Sequence, residues 1–449
     1  MATAKSGGKL YVEGKISNTH YDPRWFEKLN SDGKFMFKMA VDTHINDFDG
    51  YLKVLGMTPE CGLRDVLEQF YDNTPIALEL PYYSFILHLS AWLAEKNISV
   101  DIGGQEVRPY LWFILLAKSR GFKSFSNSII TDSAPTKQNI EGFESDAKFI
   151  EMLYDNQSKE VKNFVMIDEF AQVLKKIEKD GSPLAGCKQY FLLSYDAATG
   201  RKEISRKTKT NEIVVNDPAM NFLGINVYET FLQSLSQESC SDGFFQRFSC
   251  VMASDTKKEK IPRDPRAGKY TKINKEPIRN ALNNLWNDIT SQFLFEKYEV
   301  KDEVFKIFEE ISDKFNTRYP SVPDSFFIRE RFKLFTYALI FHILRGKGAD
   351  KYIDRIDAKY AALMFEKSLD NISQILRDMN PDNVFDKVKR LIEIRRNFEE
   401  KQNNLQENQR KRFAIRDAIA GFAGKVKSNE AKELWYLAFD DEPEIKRKR

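Results

Sequence analysis

The sequence is poor in the residues that build metal centres and disulfide frameworks. Its four cysteines, Cys61, Cys187, Cys240 and Cys250, are scattered over 449 residues without CxxC spacing. That excludes a zinc ribbon and predicts free thiols in a reducing compartment. Four histidines are few for this length, and His20, His44, His88 and His342 show no ligand spacing. His88 and His342 fall inside apolar helical patterns, which predicts core or half-buried roles. Long hydrophobic runs are also missing. Leu111 to Leu116 and Leu334 to Leu344 are too short or too interrupted to span a bilayer, so no membrane partner is expected. No charged-then-apolar leader precedes Tyr11, which predicts a cytoplasmic protein. The net charge of +3 carries no strong sign, so bulk charge excludes no class of partner.

What is present is enough apolar material, 42% of the chain, for two or three cores. Residues 1–74 carry mixed aromatic and turn signals and read as an N-terminal helical or irregular region. Between 75 and 255 short apolar runs alternate with helical patterns. Strands are expected at 111–116, 164–168, 212–215, 220–226 and 248–252. Helices are expected at 81–96, from Ser124 onward, and near 144–154, 170–179 and 228–237. Alternation of this kind predicts an α/β fold, a RecA-like or AAA-like P-loop core with helices on both faces of its sheet. A short strand and hairpin at 98–104 leads into the 111–116 strand. Residues 256–280 form a basic linker, 281–380 a helical domain, and 381–449 a charged helical arm and tail. N-terminal and C-terminal mainly helical regions therefore flank the core.

The most informative pattern is Lys123-Ser124 at the end of the loop that follows the 111–116 strand. A strand feeding a tight loop that ends in lysine and a hydroxyl, then opening a helix, surrounds a triphosphate with N–H groups, an ammonium and a metal ligand. Ser119, Arg120, Gly121, Phe122, Lys123 and Ser124 are the expected nucleotide-binding residues, with ATP and Mg²⁺ as cofactors. A second buried strand, Phe164 to Ile167, ends in Asp168-Glu169. Asp168 and Ser124 would hold the Mg²⁺ shell, and Glu169 would polarise the attacking water. The loop departs from G-x-x-x-x-G-K-[ST] at Ala117 and Phe122, where glycine would leave room for the phosphates. Phe122 argues for binding without fast turnover.

Further candidates follow from the chemistry of phosphoryl transfer. An arginine supplied in cis or by a neighbouring subunit neutralises charge on the γ-phosphate, and Arg247 is the first choice. An exposed salt bridge is the alternative for it. Asn226 ends its strand, where ligands of open α/β sheets bind, and would sense the γ-phosphate; a turn residue is the alternative. Two basic segments suit a nucleic-acid backbone. One runs from Arg201 to Lys209 and includes Arg206, Lys207 and Lys209. The other, 255–279, holds nine basic against four acidic residues and includes Lys257 and Lys258. A solvated linker is the alternative for the latter.

The order of these segments resembles one group. Pro109-Tyr110-Leu111-Trp112, Ile167-Asp168-Glu169-Phe170, Leu192 to Asp196 with Arg201 and Arg206, and Asp242-Gly243-Phe244-Phe245-Gln246-Arg247-Phe248 carry the resemblance. It is to a family of phage, plasmid and prophage P-loop ATPases catalogued as a domain of unknown function, found beside primases and helicases. The resemblance spans roughly 75–376. It implies an ATP-dependent nucleic-acid motor, a helicase-like ATPase of DNA replication acting on single-stranded or double-stranded nucleic acid. It also implies a homo-oligomeric ring or filament, primase or other replisome proteins as partners, and host cytoplasm as the location if phage-encoded. The alternatives are a nucleotide-binding assembly or regulatory protein with weak turnover, and a replication scaffold that uses the charged arm.

Overall fold

The computed structural model describes residues 9–12, 15–20, 62–118, 123–179, 181–200, 202–207, 212–235, 239–240, 243–254, 274–319 and 322–379. The chain divides into two units, Asp47–Ser373 and Met1–Asn46 with Gln374–Arg449. In the latter, β1 (Lys9–Val12) and β2 (Lys15–His20) form an antiparallel pair.

In the former, α1 (Arg64–Asn73) and α2 (Glu79–Glu95) precede β3 (Ser99–Ile102), β4 (Gln105–Val107) and β5 (Trp112–Ala117). Then come α3 (Lys123–Ser133), α4 (Asp146–Ser158), β6 (Asn163–Asp168), α5 (Phe170–Ile177) and α6 (Cys187–Asp196). A hairpin of β7 (Ile204–Lys207) and β8 (Glu212–Val215) leads to β9 (Met220–Val227), α7 (Tyr228–Leu232) and β10 (Ser249–Met252). The C-terminal elements are α8 (Glu276–Thr290), β11 (Lys297–Val300), α9 (Asp302–Arg318), α10 (Asp324–Glu330), α11 (Lys333–Leu344), β12 (Tyr352–Ile353) and α12 (Arg355–Asp378), which belongs to this unit as far as Ser373.

The protein is thus a mixed α/β fold with parallel sheet. Its main sheet has the order β10-β5-β9-β6, and every pair in it is parallel. Ile140 adds one parallel bridge to Val165 on the far side of β6. All six residues of β5 are buried, as a parallel strand covered on both faces requires. Alternate side chains meet different layers. Trp112 packs edge-on against Phe191 and Tyr195 of α6, at 5.7 and 5.2 Å between ring centres. Phe113 turns the other way, to Tyr83 of α2 and Tyr337 of α11. Helices therefore lie on both faces of the sheet.

The 98–104 hairpin precedes β5 in sequence but pairs elsewhere. β3 and β4 join β11 and β12 in a second sheet, order β12-β11-β3-β4, so elements from both sides of the 256–280 segment share one sheet. Within the 281–380 region, α10 and α11 are two helices separated by Arg331-Phe332. At that break Glu330 and Lys333 both turn toward β10, where Ser249 Oγ lies 3.0 Å from Glu330 Oε1 and accepts from Lys333 Nζ at 2.9 Å. His88 and His342 are both core residues, 1% and 0% exposed. The arm at 381–449 lies outside the described residues.

Candidate functional site

The carboxyl ends of β5, β9 and β6 converge on one edge of the main sheet. Register fixes the levels: Leu116 pairs with Asn226, and Asp168 with Ile225. The strand carrying the acidic pair is thus separated from the strand feeding Lys123 by one strand, which carries Asn226. Such an edge, where open parallel sheets bind their ligands, gathers Lys123, Ser124, Asp168, Glu169 and Asn226.

Local folding explains how each is held. Ser126, Asn127, Ile129 and Ile130 bury one face of α3, and Asn127 Nδ2 reaches Met166 Sδ on β6 at 2.9 Å. That leaves Lys123 and Ser124 in the first turn, where helix N–H groups have no intrahelical partner. Ser124 donates to Asp168 Oδ2 at 3.0 Å. Burial pushes Lys123 below the usual lysine range, while Asp168 and Glu229 pull it back up. Its ammonium also lies 3.4 Å from the Lys118 carbonyl.

Glu169 adopts φ 54° and ψ 42°, a left-handed conformation that a side chain rarely takes. Two contacts enforce it. Its N–H donates to Asp168 Oδ1 at 3.0 Å, and the next residue, Phe170, is buried against Gly224. A Cβ at Gly224 would stand 3.1 Å from the Phe170 ring, so glycine lets that ring close on the sheet and leaves Glu169 at the solvent edge. Gln172 Nε2 donates to the Glu169 carboxylate. Asn226 is 3% exposed, and its Nδ2 has no partner among the described residues. An unpartnered buried amide donor is a free-energy debt that an incoming oxygen would relieve.

The donor set suits a Mg²⁺–triphosphate. Mg²⁺ keeps much of its water and takes one or two protein oxygens beside the phosphates, which Ser124 and Asp168 can supply. Among the described residues no group of three or more His, Cys, Asp or Glu forms a dedicated metal cage. Ser119, Arg120, Gly121 and Phe122 lie outside the described residues.

Arg247 is not brought to this edge. It precedes β10, whose first residue pairs with Phe113, so it stands at the opposite end of the sheet. There it is 5% exposed and donates to Gly243 O at 2.6 Å and to Asp196 Oδ1 at 3.0 Å. Burial pushes its guanidinium below the usual range, and Asp196 opposes that shift. Arg206 pairs with Asp146 at 3.1 Å, and Lys207 faces Glu212 across the hairpin at 3.9 Å. Arg201, Lys209, Lys257 and Lys258 lie outside the described residues.

Gln172 and Glu229 are additions. Gln172, three residues past the helix-opening Glu169, follows a spacing known from helix starts and was readable. Glu229 had no such signal, since its approach to Lys123 depends on β9 lying beside β5. No family model matches the chain, and no curated protein matches it.

Proposed function

We propose that the protein is a Mg²⁺-dependent ATPase with a RecA-like P-loop core, acting as a helicase-like motor on nucleic acid. The observation that carries the ATP site is the Ser124–Asp168 hydrogen bond beside Lys123, with the unpartnered Asn226 amide on the strand between them. The strand order supports the same core, because a strand interposed between the lysine and carboxylate strands sets a polar sensor between them. Lys123 would neutralise the β and γ phosphates, and Ser124 and Asp168 would hold the metal through oxygen or water. Mg²⁺ supplies charge neutralisation on the transferring phosphoryl group. Glu169 would orient and deprotonate the attacking water, and Asn226 would donate to the γ-phosphate.

Nucleic-acid action rests on the basic segments and on the family resemblance of the motifs. It is tested by ATP turnover measured with and without single-stranded DNA. Stimulated turnover is expected, and Lys123→Ala should remove it; turnover that ignores both DNA and Lys123→Ala would sink the proposal.

A second function, nucleotide binding with little turnover in an assembly or regulatory protein, is favoured by the contact between Gln172 and Glu169, which occupies the carboxylate. It predicts thermal stabilisation by Mg²⁺–ATP without steady-state hydrolysis. In that case Gln172→Ala should raise turnover.

A further inference from the structure

The amino end of the main sheet, away from the phosphate edge, holds a cavity of about 310 Å³. Arg108, Tyr110, Tyr195, Arg329, Phe332 and Lys333 line it. Its charges do not cancel. Arg108 is neutralised by Asp217 at 2.7 Å, Lys333 by Glu330, and the adjoining Arg247 by Asp196 at 3.0 Å. Arg329 has no carboxylate within ion-pair distance among the described residues; its Nε reaches only Gln246 Oε1, at 3.4 Å. Three cations, Arg247, Arg329 and Lys333, thus face two carboxylates, Asp196 and Glu330.

The excess cation is also crowded. A Cβ on Gly243 would lie 3.1 Å from Arg329 Nη2 and 3.2 Å from Arg247 Nη1, so both guanidiniums flank one glycine. Gly243 has φ +88°, which favours glycine there in any case. Two like charges so close in a half-buried place are unfavourable, and a bound anion would offset them. The Arg329 backbone is fixed by the Tyr195 hydroxyl, which donates to Arg329 O at 3.0 Å. The planar guanidinium fork is itself pre-organised, so less freedom is lost per hydrogen bond it makes to an anion.

We propose that this cavity binds a small organic anion with a planar aromatic body. The carboxylate, sulfonate or phosphate would sit on the Arg329 fork, with the ring against Tyr110, Tyr195 and Phe332. The volume fits a single compact ligand. A nucleic-acid strand is disfavoured by the neighbouring opening of about 1010 Å³, which shares Arg108 and Tyr110. In its lining Arg108, Lys162 and Lys202 are balanced by Glu106, Glu203 and Asp217, whereas a polyanion needs a continuing row of uncompensated cations. The proposal stands apart from the ATP site, which lies at the other edge of the sheet.

The test is calorimetric titration of the full chain with 2-naphthoate, with 2-naphthylmethanol as the neutral probe of the same ring. Saturable one-site binding of 2-naphthoate is expected, about tenfold weaker in Arg329→Gln and for the neutral alcohol, as loss of a charge-assisted pair implies. Phe332→Ala should also weaken it, and Lys123→Ala should leave it unchanged. The proposal is overturned if 2-naphthoate shows no saturable binding, if Arg329→Gln and Phe332→Ala both bind like the wild type, or if Lys123→Ala abolishes binding. If Arg329→Gln does not fold, the Phe332→Ala and neutral-alcohol results decide.

Discussion

The two edges of the main sheet use the same kinds of residue for opposite ends. At the carboxyl edge Ser124, Asp168 and Glu169 are exposed, Lys123 is half-buried, and the Asn226 amide has no partner. At the amino edge Glu330 and Lys333 are 0% and 3% exposed, and each is bonded within one network with Ser249 and the Arg247 carbonyl. A lysine and an acid alone therefore say little about function. What distinguishes Glu330 and Lys333 from the carboxyl-edge groups is that the fold buries and pairs them fully, whereas Asn226 keeps an unpartnered amide. Satisfied groups hold β10 to α10 and α11, and unsatisfied groups are available to a ligand.

The comparison can be broken most sharply at the amino edge. Lys333→Met leaves Glu330 buried without its counter-ion, and such a loss destabilises by about 3–5 kcal/mol. Chemical denaturation checks it, and Glu330→Gln is expected to be similarly harmful. If both variants unfold like the wild type, the network is not structural.

At the carboxyl edge the expectation reverses. Lys123→Ala and Glu169→Gln should lower ATP turnover by about 100-fold or more, because each removes a group that the proposed mechanism uses in the transition state. Both side chains reach solvent, so stability should change by no more than about 0.5 kcal/mol. Parallel turnover and melting measurements separate the two effects. A large loss of stability in either variant would erase the contrast between the edges.

A third expectation concerns pH. His88 lies in the core between the Thr136 carbonyl and Thr131 Oγ1, at 3.0 and 3.1 Å, and burial pushes its imidazole down from 6.5 to about 4. The unfolded chain takes up this proton below about pH 6.5 and the folded chain only near pH 4. Stability is therefore fully present above pH 6.5 and falls as the pH drops toward 4, by about 3 kcal/mol from this group. Denaturation at pH 7 and pH 4.5 measures it, and His88→Gln should flatten much of the slope. A small effect on stability belongs to Arg206→Ala, whose partly exposed pair with Asp146 should matter by no more than about 1 kcal/mol.

Much of this organisation was legible in the residues. Continuous apolar runs such as Phe113 to Leu116 and Phe222 to Ile225 announce parallel strands buried on both faces, and Asp168-Glu169 after such a run marks the carboxyl end of β6. Arg247 lies at the end of the sheet away from Lys123 for a reason also present in the chain. It stands just before a strand, and in a parallel sheet that means the edge opposite the loops that follow strands. Lys297 to Val300 gives no strand signal because β11 is only four residues long and mostly half-buried, so it shows neither a sustained alternation nor an apolar run. The Arg331-Phe332 break carries no Pro or Gly. It is set by the long-range contacts of Glu330 and Lys333 with Ser249, which no local pattern reports.

The most direct measurement is steady-state hydrolysis of Mg²⁺–ATP, with and without single-stranded DNA, by the wild type beside Lys123→Ala and Glu169→Gln. Turnover stimulated by DNA in the wild type and lost in both variants is the predicted result. Wild-type protein that neither binds nor hydrolyses Mg²⁺–ATP, or variants that keep its rate, would contradict the assignment of the carboxyl edge.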